Sequence, residues 1–200
     1  GADEASRAWG NLLQATSRWL EQPIAQKKQL IAPDDPRLGN FPIVFLHGRS
    51  SFKFSSEERQ ALADYLSDEV QGFVIADAIC GNREFATSLR KEFADLIPGA
   101  RWERIPDNHP LMSDRYRGFD LSKVSLRRPE RSSDDVATFR ETQTSPVLEG
   151  LWIDGRLAVI FSPYDLSCAL ENGNSLECVG YSAVDAQRIG INILLYALQM

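Results

Sequence analysis

Histidine and cysteine are scarce in this sequence, with two of the first and three of the second in 200 residues. The two histidines, His47 and His109, lie far apart, and no C-x-x-C pair occurs, so the spacing offers no metal-ligand cluster. An odd cysteine count in a chain this long is not a disulfide framework, although Cys168 and Cys178 are close enough in sequence to pair in an oxidising compartment. Basic residues are outnumbered, 22 against 28 acidic, for a net charge of −6. That balance argues against a nucleic-acid partner, which needs a basic face. No apolar run approaches the ~18 residues of a membrane-spanning helix. The first residues lack the basic-then-apolar layout of a signal peptide. There is no internal repeat, no low-complexity tract, no G-x-G-x-x-G and no P-loop, so no cofactor is implied.

What is present is 43% hydrophobic sequence, enough for a single substantial core over residues 1–200. The chain opens almost directly into a helix and reads as a domain excised from a longer protein. Trp9, Leu12, Leu13, Thr16, Trp19 and Leu20 fall on one helical face that Pro23 closes. Phe41–Leu46 (FPIVFL) is wholly apolar, as expected of a strand covered on both faces, and His47-Gly48-Arg49 follows at its carboxyl end. Ser55 and Glu58 form a capping box for the next helix. Phe73–Ala76 is a second apolar strand, running through Asp77 and Cys80-Gly81 into a helix with Phe85, Leu89, Phe93 and Leu96 inward.

Strand, helix, strand and helix in alternation predict an α/β fold with a mostly parallel, doubly wound sheet and helices on both faces. Trp102–Ile105 reads as another strand. Residues 113–145 show only weak apolar alternation and read as a surface excursion or a flap. Asp154-Gly155 between apolar runs predicts a β-hairpin over about residues 147–162. Ser182 with Asp185 caps a last helix that is apolar on nearly all sides. Such a helix is buried, or docks on a neighbouring domain through a patch around Ile191 and Leu195.

Three strand ends therefore bring polar residues to one rim: His47-Gly48-Arg49, Asp77 through Asn82, and Ser162-Pro163-Tyr164-Asp165. Open α/β sheets bind ligands at the carboxyl ends of their strands. Cys80 stands at a strand–turn–helix corner, where a nucleophile elbow would place its thiol, with His47 or His109 as the base. The competing reading is a half-buried packing cysteine. Arg49 suits a carboxylate or phosphate, or an ion pair with Asp77 or Asp165. Asp77 is a general base or an acceptor for turn N–H groups, and Asp165 equally a cap for the short helix through Leu170. Tyr164 is a ring platform or a core residue, and Gly48 and Gly81 serve turns, the latter at a helix N-terminus that suits an anion.

The segments FPIVFLHGRSSFKFSSEERQALADYL, GFVIADAICG, DNHPL, LEGLWIDGRLAVIFSPYDLSCALE and GYSAVDAQRIGINILLYAL together resemble an uncharacterised bacterial domain-of-unknown-function family. The resemblance covers about residues 40–198, with H-G-R, D-A-x-C-G and S-P-Y-D-L-S as its densest motifs. That family is grouped with the class I glutamine amidotransferase-like domains, which implies a flavodoxin-like, three-layer α/β/α fold. Its members stand in larger, often exported or membrane-associated proteins. Amidotransferases of this fold use an elbow cysteine and a histidine with a glutamate after a late strand. Here Tyr164 and Asp165 hold that late position and no histidine follows His109, so glutaminase activity does not carry over. A second similar group, the trehalose-utilisation-like domains, implies a carbohydrate or small polar ligand. The expectation is a non-catalytic domain that binds a small polar ligand or another domain at the rim of His47, Gly48, Arg49, Asp77, Cys80, Gly81, Tyr164 and Asp165. The alternatives are a thiol hydrolase using Cys80 and a scaffold docking through its last helix.

Overall fold

The computed structural model describes residues 5–24, 29–131, 137–173, 176 and 178–199. Helix α1 (Ala8–Leu20) leads to β1 (Ile43–Gly48), α2 (Ser56–Leu66), β2 (Phe73–Ala78) and α3 (Arg83–Ala94). Strands β3 (Arg101–Arg104), β4 (Val124–Arg131), β5 (Ala137–Thr144), β6 (Glu149–Ile153) and β7 (Arg156–Ser162) follow. The chain closes with α4 (Ser167–Leu170), β8 (Gly180–Tyr181) and α5 (Ala183–Ala197).

The local chemistry accounts for the element starts. Ser55 Oγ accepts from Glu58 N–H while the Glu58 carboxylate accepts from Ser55 N–H, so both halves of the α2 capping box form. Asn82 accepts from Phe85 N–H to start α3, and Ser182 accepts from Asp185 N–H to start α5. Asp154 and Gly155 both adopt positive φ, 49° and 84°, the pair of left-handed residues that a tight two-residue hairpin needs.

The main sheet has the order β1-β2-β7-β6-β3. The β1–β2 and β2–β7 pairs are parallel, whereas β7–β6 and β6–β3 are antiparallel, because β6 runs against the other four strands. The expectation of a mostly parallel sheet is corrected here, and the reason lies in the hairpin: a two-residue turn can join only antiparallel neighbours. A second sheet, β5-β4-β8, is antiparallel throughout. Its strands β4 and β5 occupy the stretch whose alternation was weak, of which residues 132–136 lie outside the described residues. The pattern was faint because β5 is exposed along almost its whole length, leaving no buried face to write a period of two.

Successive residues of β2 feed two separate cores. Phe73 and Ile75 join one with α1 and α5, whereas Val74, Ala76 and Ala78 join the other with α2 and α3. Helix α5 is buried against α1, where a Cβ on Gly190 would come within 2.7 Å of Leu12. Ile191 and Leu195 are buried, so the exposed docking patch expected around them is not there. Among the described residues no helix is long and apolar enough to cross a membrane.

Candidate functional site

Strand register sets the site. His47 of β1 stands beside Asp77 of β2, and Asp77 beside Ser162 of β7, so the three carboxyl ends are neighbours. Beyond Asp77 the chain makes a 3₁₀ turn, Ile79–Gly81, in which Cys80 and Gly81 both take positive φ, 55° and 68°. A Cβ on Gly81 would sit 3.0 Å from the Val179 carbonyl oxygen, so glycine suits both the backbone and the close approach.

Two buried carboxylates brace this corner. Asp77, wholly inaccessible, accepts from Ser167 Oγ (2.6 Å) and from the backbone N–H groups of Leu166 and Ser167 (both 3.1 Å). Asp165, 2% exposed, accepts from Cys80 N–H (2.9 Å), Cys168 N–H (3.4 Å) and Ala169 N–H (3.2 Å). Both acids thus serve as acceptors for the first turn of α4, and Asp165 also ties α4 to the Cys80 turn. Ser167 Oγ lies 2.9 Å from His47 Nδ1; its proton is given to Asp77, so the hydroxyl oxygen accepts from the ring nitrogen. Burial, reinforced by the nearby charge of Asp165, pushes the Asp77 carboxyl up to about 6, against the opposing pull of Ser167 and His47. Asp165 is raised as well, chiefly by burial.

The sulfur chemistry is the feature that the spacing did not reveal. Cys80 is disulfide-bonded to Cys178, across 98 residues, and Cys168 keeps a free thiol. The pairing left open between Cys168 and Cys178 is therefore not the one that forms. Cys168 Sγ lies 4.0 Å from Cys80 Sγ, and all three sulfurs fall within 4.8 Å of one another. Spacing in the sequence gives no sign of this gathering of sulfurs, which only the fold brings about: Cys80 sits after β2, Cys168 in α4 and Cys178 before β8. Burial and the charge of Asp165 push the Cys168 thiol up to about 12. As the free thiol nearest Asp165 it is a poor nucleophile at neutral pH.

Other predicted residues are dispersed. His109 Nδ1 accepts from Leu111 N–H, and its ring packs 5.3 Å from that of Tyr196. Those contacts join it to α5, away from the strand ends. Tyr164 OH accepts from Arg128 Nη2 (2.9 Å), and the same guanidinium lies over the Tyr164 ring. A Cβ on Gly48 would come within 2.7 Å of the Phe85 ring, so α3 can approach β1 only there because Gly48 is bare.

Two clefts border the corner. The larger, about 490 Å³, runs along the length of β1 and takes in His47, Gly48 and Arg49 at one end. β1 is the edge strand of the main sheet, and every one of its residues is half-buried. The smaller, about 340 Å³, is lined by Asp165, Cys178 and Tyr181 beneath Arg127 and Phe139 of the second sheet. A family model described as "Domain of unknown function (DUF4159)" matches residues 1–198. No curated protein matches the chain.

Proposed function

The chain belongs to the DUF4159 family, and we propose that it is a non-catalytic binding domain that takes an extended polypeptide segment along the open edge of β1. The observation that carries this reading is the edge itself. Among the described residues β2 is the one strand that pairs with β1, and the other side of β1 faces the 490 Å³ cleft. A strand so placed offers its backbone N–H and C=O groups to a partner strand, and alternate side chains supply specificity. On one face Phe45 stacks on Trp9 and meets the His47 ring at a tilt; on the other, Leu46 lies with Phe52 against the second core. Arg49 and Lys53 bring positive charge to the carboxyl end of the groove. The preferred segment is apolar and extended, with an acidic residue near Gly48.

In this reading His47, Gly48 and Arg49 contact the partner, whereas Asp77, Cys80, Gly81 and Asp165 hold the corner behind them. The sealed carboxylates and the bonded Cys80 support a role without catalysis; a thiol hydrolase would need Cys80 reduced and a base close to it. The partner is a separate protein or another part of the parent chain. The three parallel strands with helices against both faces support assigning the domain to the amidotransferase-like, flavodoxin-like three-layer folds of bacterial proteins.

Selection of a random decapeptide library on the folded protein tests the proposal. Selected peptides should be extended and apolar with an acidic end, should lose binding to Phe45→Arg, and should bind Lys53→Glu about fivefold more weakly, the scale of one exposed charge pair. If no peptide is selected, or those selected bind both variants as they bind wild type, the edge of β1 is not the site.

A further inference from the structure

We propose that the reduced form of Cys80, Cys168 and Cys178 binds one thiophilic divalent cation of the zinc group. Three sulfurs reach one point from three separate elements, all within 4.8 Å of one another. The 4.0 Å between Cys80 and Cys168 is close to the ~3.8 Å edge of a thiolate tetrahedron with zinc–sulfur bonds of about 2.3 Å. Once the Cys80–Cys178 bond opens, a small side-chain rotation of either residue completes the triangle.

The surroundings match a cation. Asp165 receives N–H groups from two of the three cysteine-bearing turns, which fixes Cys80 and Cys168 in place in the manner of an outer-shell partner. Cys178 and Asp165 both line the 340 Å³ cleft, which gives an ion a route in and leaves its fourth position for water. In the structure two of the ligands are joined as a disulfide, so the site exists only in the reduced chain.

The step balances with a phosphine reductant. The phosphine supplies the electron pair that breaks the Sγ–Sγ bond and becomes its oxide, with oxygen from water. The two protons of that water end on Cys80 and Cys178. Cation uptake then releases the three thiol protons to solvent.

The experiment is a cadmium titration of phosphine-reduced and of oxidised protein, followed by sulfur-to-cadmium charge-transfer absorption, with equilibrium dialysis for stoichiometry. Reduced wild type should take up one ion per chain with that absorption, and oxidised wild type none. Cys168→Ser leaves the Cys80–Cys178 bond intact, so its oxidised form reports folding by circular dichroism; reduced, it should bind at least tenfold more weakly. The proposal is overturned if reduced wild type, folded or not, shows no stoichiometric charge-transfer band. It is overturned equally if reduced Cys168→Ser binds as tightly as wild type, or if the oxidised protein binds as well as the reduced.

Discussion

Asp77 and Asp165 show how a residue at a predicted site can be occupied with holding the fold. Each had two readings in the sequence, chemical or structural, and the hydrogen bonds realise the structural one: acceptors for turn N–H groups and a cap for α4. Removing Asp165 as Asp165→Ala strands the N–H groups of Cys80, Cys168 and Ala169, and should lower unfolding free energy by about 3 kcal/mol in urea denaturation. Asp77 makes a pH-dependent contribution whose sign follows from its raised carboxyl. The folded state holds the proton up to about pH 6 whereas the unfolded chain releases it near 3.8. Its favourable contribution is therefore complete below about pH 4 and is lost as pH rises through about 6. Subtracting the stability curve of Asp77→Asn from that of wild type should leave a fall on the order of 2 to 3 kcal/mol between about pH 4 and 7, flat above it. A rise over that window would mean that Asp77 is held ionised. The cysteines were the opaque residues: Cys80 and Cys178 lie 98 positions apart, and spacing cannot show a contact made only by the fold.

At the scale of elements, what was legible was whatever is decided locally. The α2 capping box, the Ser182 cap of α5 and the Asp154-Gly155 hairpin follow from a few adjacent side chains and appear as expected. Replacing Ser55 by Ala removes the acceptor for Glu58 N–H and should cost about 1 kcal/mol, checked by thermal denaturation. The long β4–β5 pair was not legible, because exposed strands carry no apolar alternation. Cross-strand charge stands in its place, with Arg127 bound to Glu141 and Arg140 to Glu130. The apolar run of β1 was read as a strand covered on both faces, and its faces do carry Trp9 on one side and Phe52 on the other. That β1 lies at the sheet's edge is a matter of topology, which its own residues do not record. The free edge, and with it the groove, could be found only in three dimensions.

Across the whole molecule, the fold divides the expected rim in two. The strand ends meet as the alternation of strands and helices predicted, but at the junction of β2, β7 and α4 they are closed by carboxylates and a disulfide, and at β1 they open. The Cys80–Cys178 bond ties the middle of the chain to its last strand. Reducing it without metal should lower unfolding free energy by about 2–5 kcal/mol, the range for crosslinks closing loops of this length, with Cys80→Ala giving a similar loss. The central claim is that binding occurs along the edge of β1 while the braced corner stays closed. Amide hydrogen exchange of the protein, free and with a library-selected peptide, tests it most directly. In the free protein alternate amides of Ile43–Gly48, those turned away from β2, should exchange fast, and the peptide should slow them at least tenfold with residues 165–169 unchanged. Protection that appears at 165–169 or around Cys178 while β1 exchanges as before would contradict it.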